Sequence, residues 1–217
     1  MTEAGGGRGR YGKVYGAEAA ARYAREKEGA RAAHRAECAL AARALARVPR
    51  EETLLDVPCG TARMSSALAR LGFARLACAD VSPAMLDLAR ERLRRESLRF
   101  PLVRADVEAL PFAARSFDTV FCFRLFHHLP DDELRRTVAA ELCRVSRRRV
   151  VVSYLDARAF TSRKRALELK LRPRPTSRFA QTPRAAAEFF TAQGLRLVAD
   201  LARLPLWHSL RVLVLER

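Results

Sequence analysis

The sequence predicts an α/β fold: a doubly wound, mostly parallel sheet of seven strands, preceded by a helical cap and closed by an antiparallel hairpin. Three observations carry this prediction. Short apolar, β-rich runs alternate with helical stretches at the interval of βαβ units. Residues from about Ala17 to Arg47 are rich in Ala, Arg and Glu, with no proline and one glycine, Gly29, which is strong helix material. Two last apolar runs near the C-terminus lie close enough in sequence to pair antiparallel.

The elements follow in order. Residues 1–16 are Gly- and Arg-rich and read as a disordered basic tail. Ala33, Ala36, Leu40, Ala44 and Val48 recur near helical spacing, and Pro49 ends one or two cap helices that fill residues 17–50. Thr53 to Val57 is a short buried strand, and Arg63 to Leu71 a helix stopped by Gly72. Leu76 to Ala79 is the second strand. Ser82 and Pro83 open a helix to about Arg95, Ser as N-cap and Pro in the first turn. Leu102 to Ala105 and Thr119 to Phe123 are the third and fourth strands, and Asp131 or Asp132 caps a helix through Cys143. The fifth strand is Arg149 to Tyr154. Residues 156–182 then form a basic insertion, with eight basic residues from Arg158 to Arg178 against one acid, Glu168. Pro183 to Gln193 is a helix closed by Gly194, and 195–201 and 211–215 are the last two strands.

Composition bounds the function. A length of 217 residues fits one domain, here residues 17–217, and 49% hydrophobic content supplies a real core. The formal net charge is +17, and all but four of the 41 basic residues are arginines. That field attracts polyanions, although so much Arg beside so much Ala also reads as compositional bias. The five cysteines, Cys38, Cys59, Cys78, Cys122 and Cys143, form no CxxC pair, so no metal site is expected and free thiols suit the cytoplasm. The start MTEAGGGRGRYGK lacks the apolar core of a secretory signal, and no apolar run is long enough to span a bilayer. His34 and His208 are isolated and read as structural or solvated.

The chemistry concentrates after the first strand, in Leu54-Leu55-Asp56-Val57-Pro58-Cys59-Gly60-Thr61-Ala62-Arg63. A strand ending in a glycine turn that opens a helix is a nucleotide-binding, Rossmann-like geometry. Asp80 ends the next strand, where a carboxylate accepts ribose hydroxyls. The glycines needed to seat a pyrophosphate are missing, since the turn offers Pro58, Gly60 and Ala62. A cofactor without phosphate suits it better than a nicotinamide dinucleotide.

With these residues the chain resembles the class I S-adenosylmethionine-dependent methyltransferases, in particular small-molecule enzymes whose first motif reads LDVPCGTGR. Three further ordered stretches resemble that family: Ala79-Asp80-Val81-Ser82-Pro83-Ala84-Met85-Leu86, Arg104 to Phe112, and Ser116-Phe117-Asp118-Thr119-Val120 running on to Phe126-His127-His128-Leu129. The resemblance implies S-adenosyl-L-methionine as cofactor and direct in-line methyl transfer. It implies that Asp56 anchors the first turn and holds the cofactor amino group, and that Cys59 and Gly60 pass the methionine part close to backbone. Asp80 binds the ribose, Val81 and Met85 flank the adenine, and Asp106 and the Val107 N–H meet its edge. The backbone of Phe123 and Arg124 touches the methionine part. Ala62 replaces the last glycine of the motif and is expected to be tolerated with weaker cofactor binding.

Other readings stand beside these. Asp56 and Asp80 can cap turns, and Asp106 can close an Asx turn. Cys59 reads as a small turn residue rather than a nucleophile, since no base is spaced for it. His128, and after it His127, are the candidate general bases for an acceptor proton. They can equally pack the next helix, because a sulfonium methyl is already activated and alignment is the main requirement. The basic insertion recognises an anionic acceptor through Arg forks or is a solvated loop. Trp207, in the apolar turn Leu204-Pro205-Leu206-Trp207, packs, lines an acceptor pocket or touches a membrane surface. The cap helices, the insertion and Trp207 are expected to enclose a small-molecule or lipid-like acceptor. An RNA methyltransferase is the alternative, favoured by charge but not by motif: no NPPY or DPPY follows the fourth strand and no catalytic cysteine is placed for base methylation. A non-catalytic cofactor-binding scaffold is the third reading. Acceptor atom and oligomeric state stay open.

Overall fold

The computed structural model describes residues 16–217, with Lys27 and Glu28 described through their backbone only. Residues 1–15, most of the expected disordered tail, lie outside the described residues. The strands are β1 (Leu54–Asp56), β2 (Leu76–Asp80), β3 (Leu102–Arg104), β4 (Phe117–Cys122), β5 (Ser146–Leu155), β6 (Arg196–Ala202) and β7 (Leu210–Glu216). The helices are α1 (Ala17–Gly29), α2 (Arg31–Ala44), α3 (Arg63–Arg70), α4 (Pro83–Arg95), α5 (Asp132–Val145), α6 (Phe160–Leu171) and α7 (Pro183–Thr191).

The sheet order is β3-β2-β1-β4-β5-β7-β6. The first five strands pair parallel, with Leu55 facing Ala77 on one side and Val120 on the other. β7 then inserts antiparallel between β5 and β6, as Val151↔Val214 and Leu201↔Val212 show. Chain direction across the sheet reverses between β1 and β4, and in open α/β sheets ligands sit outside the carboxyl ends of strands at that switch point.

Alternation along each strand sorts the core into two layers. Leu55, Val57, Val120, Cys122, Val150 and Val152 face α5 and α7, where Leu134, Val138, Leu142 and Phe190 pack on them. Leu54, Leu76, Phe121, Val151 and Val212 face the opposite way, onto Leu40, Ala41 and Ala44 of α2 and Leu68 of α3. Each such fully buried Leu or Phe contributes about 1.5–3 kcal/mol. The second cap helix is therefore part of one core layer.

Helix starts follow local chemistry. Ser82 Oγ accepts from Met85 N at 3.2 Å, Asp131 Oδ1 from Leu134 N at 2.8 Å, and Thr182 Oγ1 from Ala185 N at 3.2 Å. Each satisfies an N–H that the first turn leaves open. The segment between β3 and β4 forms no helix. It is pinned by α5 instead: Arg144 donates to the carbonyls of Phe112 (2.7 Å) and Leu110 (2.9 Å), and Leu110 N donates to Glu141 at 2.7 Å.

The main departure from the sequence reading is α6, inside the basic insertion. Residues 160–171 contain neither Pro nor Gly and are mostly Arg, Lys, Leu, Ala and Glu, which favour helix. Only Ser162 of the helix is buried, so no apolar stripe facing a core advertised it. Its N-terminus is held by the loop before β7: Phe160 N donates to Leu206 O at 2.8 Å and Thr161 N to Trp207 O at 3.1 Å.

Candidate functional site

The site grows from the turn after β1. Val57–Pro58 is a cis peptide. Cys59 N donates to Ala79 O at 2.8 Å, which ties the turn to the end of β2. Gly60 takes φ +53, and among the described residues nothing stands within 4 Å of where a Cβ would be, so its backbone borders open space there. Ala62 also sits in the left-handed region, at φ 55, as the residue before α3. Its methyl is fully buried in a cluster with Ala89 and Leu93 of α4, not in the space beside Gly60. The Ala62 methyl is thus accommodated by helix packing, at a backbone cost of about 1–2 kcal/mol for an L-residue in that conformation.

Asp80 closes the turn from the other side. Its Oδ2 accepts from Gly60 N at 2.8 Å and its Oδ1 from Ser82 N at 2.9 Å. An ionised carboxylate has about four lone-pair sites, so two remain for hydroxyl donors. Burial pushes its pKa up, against the backbone N–H groups of Ser82, Gly60 and Val81, which favour the charged form. Turn-capping and ligand-binding are therefore compatible in this one side chain.

Asp56 is buried, and its Oδ2 accepts from Ser65 Oγ of α3 at 2.5 Å. Burial raises its pKa to about 7, opposed by the Ser65 bond and reinforced by the charge of Asp80. Cys59 is buried, and its contact with Cys78 together with burial holds its thiol well above the usual range. It stays protonated near neutrality and is no nucleophile.

At the end of β3, Asp106 Oδ1 accepts from Glu108 N at 3.0 Å, the Asx turn that the sequence offered as an alternative. Val107 and Met85 are buried and Val81 half-buried, an apolar lining beside Asp106 and Asp80. Phe123 is buried and stacks on Phe121 at 5.5 Å. Arg124 has φ 63, and its N–H donates to Ser153 Oγ at 2.6 Å. The Arg124 N–H is thus already engaged within the protein. Sequence reasoning missed the Arg124 partner: its Nη1 donates to Glu37 of α2 at 2.7 Å, joining the cap to the carboxyl end of β4.

The two histidines separate. Both lie in the 3₁₀ turn Phe126–His128. His127 is buried, and neither ring nitrogen has a hydrogen-bond partner among the described residues. Burial, then His128, Arg124, Arg178 and Arg165, push its pKa well below the usual range, so it is neutral at physiological pH. His128 is half-exposed, and its Nδ1 lies 2.5 Å from the Ser177 carbonyl oxygen. A carbonyl only accepts, so Nδ1 carries the proton and Nε2 is the basic nitrogen.

Beside His128, Arg165, Leu169, Arg174, Pro175, Thr176, Ser177 and Arg178 line an open cavity of about 240 Å³. Among the described residues no carboxylate lines it. Trp207 is 61% exposed, and its ring stacks on Phe160 at 4.8 Å. Among the described residues no group of His, Cys, Asp and Glu could hold a metal ion, and no helix is long and apolar enough to cross a membrane.

Comparison with known proteins agrees with this geometry. Residues 54–149 match the Methyltransferase domain family. The chain is 38% identical over 96 residues to Methyltransferase GfsG of Streptomyces halstedii, covering 43% of this chain and 34% of that protein. It is 34% identical over 80 residues to the Ubiquinone biosynthesis O-methyltransferase of Coxiella burnetii, covering 37% and 34%. The matched segments span about a third of the length of these relatives. Magnesium protoporphyrin IX methyltransferase (ChlM) from Synechocystis PCC 6803, solved with bound SAM, superposes with a TM-score of 0.64 at 16% identity, covering 97% of this chain and 87% of that one, a likeness of fold. Residues 54–149 thus match a methyltransferase domain, and the chain shares the fold of a methyltransferase solved with bound SAM.

Proposed function

We infer that this chain transfers a methyl group from S-adenosyl-L-methionine to a small-molecule acceptor. The observation that carries the reading is the turn in which Gly60 borders open space while Asp80 braces it and keeps acceptor sites to spare. Such a cradle fits a ribose and an amino-acid chain, and its backbone supplies no pyrophosphate seat.

Bound there, the cofactor supplies a methyl group on a positively charged sulfur. The chain's own residues do the rest. Asp56 meets the cofactor ammonium, directly or through water. Cys59 and Gly60 let the methionine part pass along their backbone, and the carbonyls of Phe123 and Arg124 close its far side. Asp80 receives the ribose hydroxyls. Val81, Met85 and Val107 enclose the adenine, and the remaining oxygen of Asp106 takes its amino group. Alignment of donor and acceptor and exclusion of water are the main catalytic demands. His128 is the base for an acceptor that must lose a proton, because Ser177 fixes its tautomer with Nε2 basic. His127 is a neutral neighbour, its ring 4.3 Å from that of His128.

The acceptor lies against Arg165, Arg174 and Arg178, and their acid-free cavity favours one carrying a carboxylate or phosphate. Five free thiols fit a reducing compartment, and the cytoplasm is the one this reading assigns.

Calorimetric titration with S-adenosylmethionine, S-adenosylhomocysteine, NADH and NADPH tests the assignment. Binding of the first two alone is expected. Binding of a nicotinamide cofactor, or of none to folded protein, overturns it. Strongly salt-dependent RNA binding joined to RNA methylation would replace the small acceptor with RNA.

A further inference from the structure

We propose that α6 and the loop 203–208 form one surface that docks on an anionic phospholipid bilayer. Most of the large apolar side chains exposed on the described surface belong to this unit: Phe160, Leu167 and Leu171 on the helix, and Leu204, Leu206 and Trp207 on the loop. They are not scattered. The helix N-terminus hydrogen-bonds to the loop carbonyls of Leu206 and Trp207, Ser209 N donates to Thr161 Oγ1 at 3.0 Å, and the Phe160 and Trp207 rings stack. At 3.6 residues per turn, Phe160, Lys164, Leu167 and Leu171 fall within about 60° of one another on the outer face of α6. Arg165 and Leu169 fall on the opposite face, where they line the cavity beside His128. Leu206 is 83% exposed and Leu171 72%, so solvent now covers what a partner would bury.

Charge selects the partner. Lys164 lies within the stripe, Arg163 and Lys170 flank it and Arg172 follows the helix, and Glu168, the one acid from 157 to 187, pairs with Lys164 at 4.0 Å. Among the described residues, Arg163, Lys170 and Arg172 form no ion pair. Apolar and aromatic tips ringed by basic stems are the composition of an interfacial helix, whose tips enter the acyl boundary while the cations meet anionic headgroups. A second copy of the chain would bring the same cations face to face. Docked this way, α6 presents its inner, cavity-lining face toward the acceptor site from the headgroup level. The docking does not depend on methyl transfer, and it is tested without cofactor.

The chain holds a single tryptophan, Trp207, which is the reporter. Vesicles of phosphatidylcholine mixed with phosphatidylglycerol are compared with phosphatidylcholine alone, by co-sedimentation and Trp207 emission. Expected are binding to the anionic vesicles, a blue-shifted emission, and quenching by brominated acyl chains. The variant Leu171→Ser with Leu206→Ser keeps the net charge, and both sites are exposed, so folding is retained and checked by circular dichroism. It is expected to bind at least about tenfold more weakly. Equal binding by that variant, or binding without a change in Trp207 emission, would mean adsorption through net charge and would overturn the proposal. So would the absence of vesicle binding, which would leave the surface to a protein partner.

Discussion

The raised pKa of Asp56 makes cofactor binding a proton-linked event. In the free protein burial holds this carboxyl at about 7. A cofactor ammonium placed beside it needs the ionised form, so affinity scales with the ionised fraction. Between about pH 5.5 and about pH 7 that fraction climbs from about 0.03 to about 0.5, and S-adenosylmethionine affinity should climb about fifteenfold. The window lies below the titration of an α-amino group near 8, so the ligand stays charged. At about pH 6, binding should release about 0.9 proton. Calorimetry in buffers of different ionisation enthalpy reads both numbers. Asp56→Asn keeps the shape and can still accept from Ser65, but it should flatten the pH dependence and weaken binding at neutral pH by about ten- to a hundredfold, one charged hydrogen bond. The stability sign is fixed as well. A carboxyl raised in the folded state favours folding most below its unfolded value near 4, and this is lost as pH rises toward about 7. The variant should therefore gain stability relative to the parent above neutrality, by at most about 4 kcal/mol. An affinity independent of pH, with no proton released, would refute the placement of Asp56 beside the ammonium.

Other perturbations test the rest of the site. Asp80→Ala removes two ribose acceptor positions and the brace of Gly60, worth about 3 kcal/mol or more, so calorimetry should show cofactor affinity down at least about a hundredfold. Ala62→Gly relieves about 1–2 kcal/mol of left-handed strain but gives up about 0.8 kcal/mol of buried methyl and about 0.4–1 kcal/mol of chain entropy, so urea unfolding should place it within about 1 kcal/mol of the parent. Glu37→Gln leaves Arg124 without its anion; the carboxylate is 8% exposed and the guanidinium 26%, so the loss in urea unfolding should lie between surface and buried values, at about 1–3 kcal/mol. His128→Ala, assayed on a hydroxyl or phenol acceptor once one is found, should lower kcat by about a hundredfold or more and remove the acid limb of its pH profile, with cofactor affinity unchanged. An unchanged profile would return His128 to a packing role.

What the sequence disclosed was local, and what it hid was distant or unpacked. Ser82, Asp131 and Thr182 cap helices through bonds that span three residues, so their chemistry is visible in a short window. Strands were legible because burial on both faces makes them short continuous apolar runs, and the β1 turn because few residues tolerate its backbone. Arg124 and Glu37 lie 87 residues apart, and nothing near either one announces the other. The Arg144 and Glu141 clamp on the β3–β4 segment is equally silent. His127 and His128 are adjacent in sequence and alike in type. Only the fold, which buries one ring and hands the other the Ser177 carbonyl, distinguishes them. The helix α6 escaped for a different reason. Its large apolar residues do follow helical spacing, but the basic residues among them made the segment read as an insertion, and the apolar face is turned outward beside lysines and arginines. Propensity alone, with no Pro or Gly from 159 to 172, was the signal that marked it. A helix that leaves its apolar side chains in water is costly unless something covers them, and the basic residues around these narrow what that can be.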